Sequence, residues 1–402
     1  MDNNSFGGMS QSLQPRYRFR LYQPLRAFVR REIEPNNERS GRNYSGRRVW
    51  LPNRKPAFLI TIDTEGDNLW SNPREVTTRN AAFLPRFQTL CERHDLRPTY
   101  LTDYQMATAP QFVEFAQDAL RRGTIEVGMH LHAWDSPPLS ELTHDDWSTH
   151  PYLIEFTDEM MREKIRVMTD TLETTFGVKM LSHRAGRWSF DQRYMSMLVE
   201  QGYAVDCSVT PRVSWARSLG DPAGAGGTDY TAFPDEAYWL STEDISRPGA
   251  KPGLLEVPVT ILSRETVLSR RTLAAIDSAP PLLAIPLRPV GRLIRRFAPP
   301  AVWLRPRGNN TKAMMWLVRR VIEEGRDYAE FMLHSSELMP GGSPTFQSER
   351  CIERLYEQLE ILFSWVSTRF EATTLYSYRC RFEELSPIFG DGLKDQAAAV
   401  WD

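Results

Sequence analysis

Two carboxylates stand two residues apart in Ile60-Thr61-Ile62-Asp63-Thr64-Glu65-Gly66-Asp67. On extended backbone that spacing turns both side chains to one face, where they can share a metal ion or divide acid and base roles. Asp67 is a third carboxylate within reach. Two imidazoles repeat the spacing in Glu126-Val127-Gly128-Met129-His130-Leu131-His132, using two of the seven histidines in the chain. Histidines paired on one face of a strand end are natural ligands for Zn2+. Three further stretches end in groups with catalytic capacity. Arg184 follows Leu181-Ser182-His183, and a guanidinium there can hold a carboxylate ionised. Asp206 lies inside Tyr203-Ala204-Val205-Asp206-Cys207-Ser208, where burial demands a partner. His334 closes Glu330-Phe331-Met332-Leu333-His334, ahead of a glycine-bearing loop. The set suits metal-assisted hydrolysis, with a metal to acidify water, a carboxylate base and an imidazolium acid.

Each of these groups sits at the end of a short apolar run. Eight such runs read as strands: Phe58–Asp63, Arg97–Asp103, Ile125–His132, Met180–Gly186, Ala204–Val209, Leu254–Ile261, Tyr328–Ser335 and Thr373–Tyr378. Between them the apolar spacing predicts helices over 79–94, 110–122, 157–176, 190–201, 311–325 and 348–366. Strand alternating with helix implies parallel strands with crossover helices. The fold class is therefore α/β, a barrel closed by seven or eight strands, and such barrels build their sites at the C-terminal strand ends.

Composition narrows the function classes. The chain has 402 residues, 41% hydrophobic and 25% charged, with a formal net charge of −2. That balance gives no global attraction to nucleic acid or to an anionic membrane. The four cysteines form no CxxC pair, which argues against a thiolate metal site. No apolar run reaches the ~18 residues of a transmembrane segment, and no secretory signal opens the chain, so a cytoplasmic location is expected. Residues 1–50 carry ten arginines against four acidic residues, with aromatics interleaved in Arg16-Tyr17-Arg18-Phe19-Arg20. They read as a poorly ordered basic arm, a candidate for weak contact with an anionic surface. The barrel is expected over 51–385 and a tail over 386–402. Within the barrel, 264–312 holds ten basic and two acidic residues and many prolines, and reads as an insertion over one mouth, with Arg305 above the substrate.

In order and residue type the five motifs resemble the polysaccharide deacetylase family, the NodB-homology or carbohydrate esterase 4 group, from about residue 57 to 380. The resemblance implies a distorted (β/α) barrel of seven or eight strands. It also implies one divalent metal, Zn2+ first and Co2+, Ni2+ or Mn2+ as alternatives. The activity implied is removal of acetyl groups, N-acetyl before O-acetyl, from a glycan or glycan precursor. By position, Asp63 matches the general base, Glu65 with His130 and His132 the metal ligands, and Arg184 the residue that orients the base. His334 matches the general acid, and Asp206 the aspartate that tunes it. Trp134 and Trp188 fall where an aromatic wall and an oxyanion N–H are supplied. Thr64 separates the two acids and the histidines are two apart, with Trp134 at the +4 place, which marks a divergent branch. Two alternatives stand beside this reading: a glycan-binding barrel without turnover, and a hydrolase of a small cyclic amide or ureide.

Overall fold

The computed structural model describes residues 54–385 apart from 72, 74, 219–225 and 252. The arm over 1–50 and the tail over 386–402 lie outside the described residues. In chain order, β1 (Ala57–Thr64) leads through α1 (Leu84–Arg93) to β2 (Pro98–Thr102). Next, α2 (Tyr104–Ala107) and α3 (Pro110–Arg121) cross to β3 (Glu126–Leu131). After α4 (Asp146–Thr149), the long α5 (Asp158–Phe176) returns to β4 (Ser182–Ala185), and α6 (Gln192–Glu200) to β5 (Val205–Asp206). There follow β6 (Tyr238–Trp239), β7 (Leu255–Glu256), β8 (Ile261–Leu262), a hairpin of α7 (Val267–Asp277) and α8 (Pro281–Phe297), and β9 (Val302–Trp303). The described chain ends through α9 (Thr311–Glu323), β10 (Tyr328–His334), α10 (Glu349–Ser367), β11 (Glu371–Ala372) and α11 (Leu375–Leu385).

The sheet runs β10-β1-β2-β3-β4-β5-β7-β6, with β11 also on β1. Its pairs are parallel except β6 on β7. Every residue of β1 is buried, as expected of a parallel strand covered on both faces. The sheet curls into a (β/α) half-barrel whose seam lies between β7 and β10. There the two-stranded ribbon β8–β9 intervenes, and Leu304 bridges: its N–H donates to Thr260 O at 3.0 Å and its carbonyl accepts from Met332 N at 3.2 Å. This is the distortion of the barrel.

Residue parity explains what fills it. The inward phase of β1 is Ala57, Leu59, Thr61, Asp63, and that of β10 is Tyr328, Glu330, Met332, His334. At the lower end Ala57, Leu59, Val205, Leu255 and Tyr328 form an apolar core with Leu375, Tyr378 and Phe382. The outward Phe58 packs edge-on against Phe363 of α10 and against Phe370. One expected strand, Thr373–Tyr378, is not a strand: Leu375 begins α11. The core side chains Leu375, Tyr378 and Phe382 recur at three and four residues, the helical period, and α11 plugs the barrel floor.

Candidate active site

The polar residues gather one step above that core. Wholly buried Arg184 of β4 reaches across the interior to β1 and β10. Its Nη1 donates to Asp63 Oδ1 at 2.6 Å, its Nη2 to Thr61 Oγ1 at 2.8 Å and to Glu330 Oε1, and its Nε to Cys207 O at 3.1 Å. Burial would raise the Asp63 carboxyl, but Arg184, with His130 and His334, holds it well below the usual carboxylate range. Glu330 goes the other way. Its burial outweighs Arg184 and the Thr61 hydroxyl, and its carboxyl is pushed up to about 7.

Above Asp63 the chain turns at Gly66, and Glu65 comes to face β3. Its Oε2 lies 3.5 Å from His130 Nε2 and 3.3 Å from His132 Nε2. All three residues are buried, with their donor atoms within 4.8 Å of one another. His130 Nδ1 is 3.0 Å from the carbonyl of Arg184. A carbonyl only accepts, so Nδ1 carries the hydrogen and Nε2 offers its lone pair toward Glu65. Two imidazole nitrogens and a carboxylate oxygen, one tautomer already set, fit a borderline divalent ion such as Zn2+. Burial raises the Glu65 carboxyl less than the neighbouring His334, His130 and His132 lower it, so it stays ionised.

His334, at the end of β10, faces this group from the opposite side. Its Nε2 is 3.6 Å from Asp63 Oδ2 and 3.9 Å from Glu65 Oε1. Its Nδ1 meets Arg305 Nη2 at 3.2 Å and Glu337 Oε2 at 3.5 Å, and Arg305 also donates to Glu337 Oε1 at 2.9 Å. Burial would raise the Glu337 carboxyl, but Arg305 and His334 bring it down to about 2. Arg305 thus stands beside the site, at the end of the 264–312 stretch.

Aromatic rings line the same end. Trp134 stacks on His132 with centroids 4.5 Å apart, and Trp70 meets His334 edge-on at 5.1 Å. Trp188 lies 5.0 Å under the Arg184 guanidinium and edge-on to Trp303. Arg187 and Trp188 both have φ near +60°, a costly conformation for side-chain-bearing residues. The Trp188 carbonyl is held there by the Tyr230 hydroxyl at 2.6 Å.

Two expected residues lie elsewhere. Asp206 does not approach His334: Val205 and Cys207 point into the barrel, so Asp206 points out. It bonds His183 Nδ1 at 2.6 Å, and His183 Nε2 meets the Tyr194 hydroxyl at 2.8 Å. Asp67 turns away to the Arg79 backbone N–H and guanidinium and to the Thr77 hydroxyl. Glu337 occupies the place beside the imidazole that Asp206 was expected to fill.

Three residues escaped the sequence reading. Glu330 is in phase with His334, Glu337 is three residues beyond it, and Asp135 is three beyond His132. Asp135 Oδ2 is 3.8 Å from His132 Nδ1, and Asp103, His132 and Asp135 form a second close group of donors. Asp103 also brackets the turn after β1, accepting from Gly66 N at 3.2 Å and Met106 N at 2.7 Å.

No protein-family model matches this sequence, and no curated protein matches it. Solved structures do. A Mycobacterium smegmatis protein described as a polysaccharide deacetylase is 14% identical, with 84% of this chain and 94% of that chain covered and a TM-score of 0.48. A Parabacteroides distasonis protein described as a glycoside hydrolase/deacetylase is 8% identical, with 82% and 71% covered and a TM-score of 0.51. At such identities the likeness is one of fold, and it rests on the second structure. The chain has a NodB-like (β/α) barrel fold, which it shares with that glycoside hydrolase/deacetylase at 8% sequence identity.

Proposed function

We propose that this protein is a metal-dependent hydrolase that removes acetyl groups, N-acetyl before O-acetyl, from a carbohydrate or glycan precursor. The observation that carries the reading is the convergence of Asp63, Glu65, His130, His132 and His334 on one point at the C-terminal strand ends. A divalent ion on Glu65, His130 and His132, Zn2+ before Co2+, Ni2+ or Mn2+, would acidify a water and polarise the acetyl carbonyl. Asp63, ionised and fixed by Arg184, accepts the proton as the water oxygen adds to the acetyl carbon. His334, in its protonated form, gives a proton to the departing nitrogen or oxygen as its bond to that carbon breaks, and acetate leaves. Glu337 faces the imidazolium Nδ1–H as its acceptor, and Arg305 holds that carboxylate in place. Trp70 and Trp134, half-buried beside His334 and His132, are the rings placed to meet a sugar, while Trp188 is buried against Arg184 and Trp215 and backs the site.

The test is metal content by elemental mass spectrometry together with acetate release from acetylated glycans. The wild type is expected to hold about one ion per chain. His130→Ala should lose it. His334→Ala should keep the ion and lose about 10²–10⁴-fold in turnover, the usual worth of a general acid. Metal bound without acetate release from any acetylated sugar would overturn the deacetylase reading.

A further inference from the structure

The hairpin of α7 and α8 carries a surface that the barrel does not use. Of the thirteen large apolar side chains exposed among the described residues, seven are on these two helices. Val290, Leu293 and Phe297 recur at three and four residues along α8, and Phe297 is 72% exposed. Val267 and Leu268 of α7 are exposed as well, at 67% and 75%. The inner side of the pair is closed differently: Gly291 is buried beside Ile276, and Leu273 and Ile276 are buried. The apolar stripe therefore faces outward, away from the contact between the helices.

Cations flank it. Arg288, Arg292 and Arg296 recur every four residues along α8 and are exposed, as are Arg270 and Arg271 on α7. Over residues 264–297 there are seven arginines and two acidic residues. An outward apolar stripe bordered by arginines is the pattern of a helix lying in a bilayer interface, apolar side chains in the acyl boundary and guanidinium groups among anionic headgroups. No helix of the described residues is long and apolar enough to cross a membrane. A second copy is a poorer occupant, because apposed hairpins would bring their arginine rows together.

We propose that the α7–α8 hairpin is a docking surface for an anionic lipid bilayer. Such docking is independent of the chemistry of the barrel. The probe is the full chain sedimented with vesicles of phosphatidylcholine alone or mixed with phosphatidylglycerol, at low and high salt. Binding is expected on the mixed vesicles, weakened by salt and absent on phosphatidylcholine alone. Each arginine near such a surface is worth about fivefold in partitioning, so the triple variant Arg288→Gln, Arg292→Gln, Arg296→Gln should bind about a hundredfold more weakly. Leu293→Ser with Phe297→Ser should also release the protein, with an unchanged circular dichroism spectrum. The proposal is overturned if the wild type stays in solution with the mixed vesicles. It is overturned equally if both variants bind like the wild type, which would move the contact to the basic arm. A wild-type dimer that the serine variant dissolves, without vesicle binding, would assign the stripe to a second copy.

Discussion

His132 is flanked on both ring nitrogens by carboxylates, Glu65 at Nε2 and Asp135 at Nδ1, and it is backed by a glycine. A Cβ added at Gly186 would lie 2.3 Å from His132 Cδ2 and 2.4 Å from the Leu131 carbonyl. Neither has room to retreat, since the imidazole is stacked on Trp134 and the carbonyl belongs to β3. Gly186→Ala is therefore expected to push the ring off its position and cut metal affinity about 10–100-fold, as disturbed ligand orientation does. Metal titration of the variant checks this, with the unfolding transition recorded alongside. Retained affinity would show that the ring has slack which the packing does not suggest.

At the scale of elements, short strands are positioned by well-terminated helices. Thr157 caps α5 by accepting from Met160 N at 3.4 Å, and Gly177 ends it at φ +68°. Asp191 caps α6 directly after the strained turn at Trp188, accepting from Tyr194 N at 2.9 Å and from Arg193. Asp191→Ala should destabilise the protein by about 1 kcal/mol, read in urea, and loosen the turn that holds Trp188. Most of this layer was legible in the sequence, because strands and helices differ in apolar period. Asp63, Glu65, His130 and His132 were legible for the same reason, since spacing by two fixes a shared face. Asp206 was misread because its neighbours decide its direction: with Val205 and Cys207 inward, only the outer face remains for it. The strand expected at Thr373–Tyr378 failed because its β-branched and aromatic residues are read by a helical period once Leu375 meets the barrel floor. Glu337 is set by the 3-10 turn Ser335–Leu338, where it accepts from His334 N, and Asp135 by the turn after β3, and neither follows from strand or helix period.

On the scale of the molecule, Arg184 ties β1, β4 and β10 together through the barrel interior. Glu330 gives that tie a pH dependence. Its carboxyl rises from an ordinary 4.5 to about 7 on folding, chiefly by burial. The folded state then binds a proton that the unfolded state has released, so stability is full below about pH 4.5 and falls as pH rises through 7. Glu330→Gln should remove the fall. Relative to the wild type it should gain up to about 3 kcal/mol between pH 4.5 and pH 8, measured by chemical unfolding at each pH. Parallel pH profiles for the two proteins would show that Glu330 is already ionised in the folded barrel.

The seam between β7 and β10 has a consequence of its own. Leu304 closes the ring by hydrogen bonds to Thr260 and Met332, and Arg305 is the next residue in the chain. The latch of the barrel and the cation beside His334 are thus one peptide bond apart. The segment arriving at that latch comes from the α7–α8 hairpin by way of β9, which pairs with β8. Leu304 and Arg305 share a peptide bond, so the backbone that closes the ring also sets where the guanidinium meets the imidazole. Closure of the barrel and the surroundings of His334 are thereby built from the same two residues.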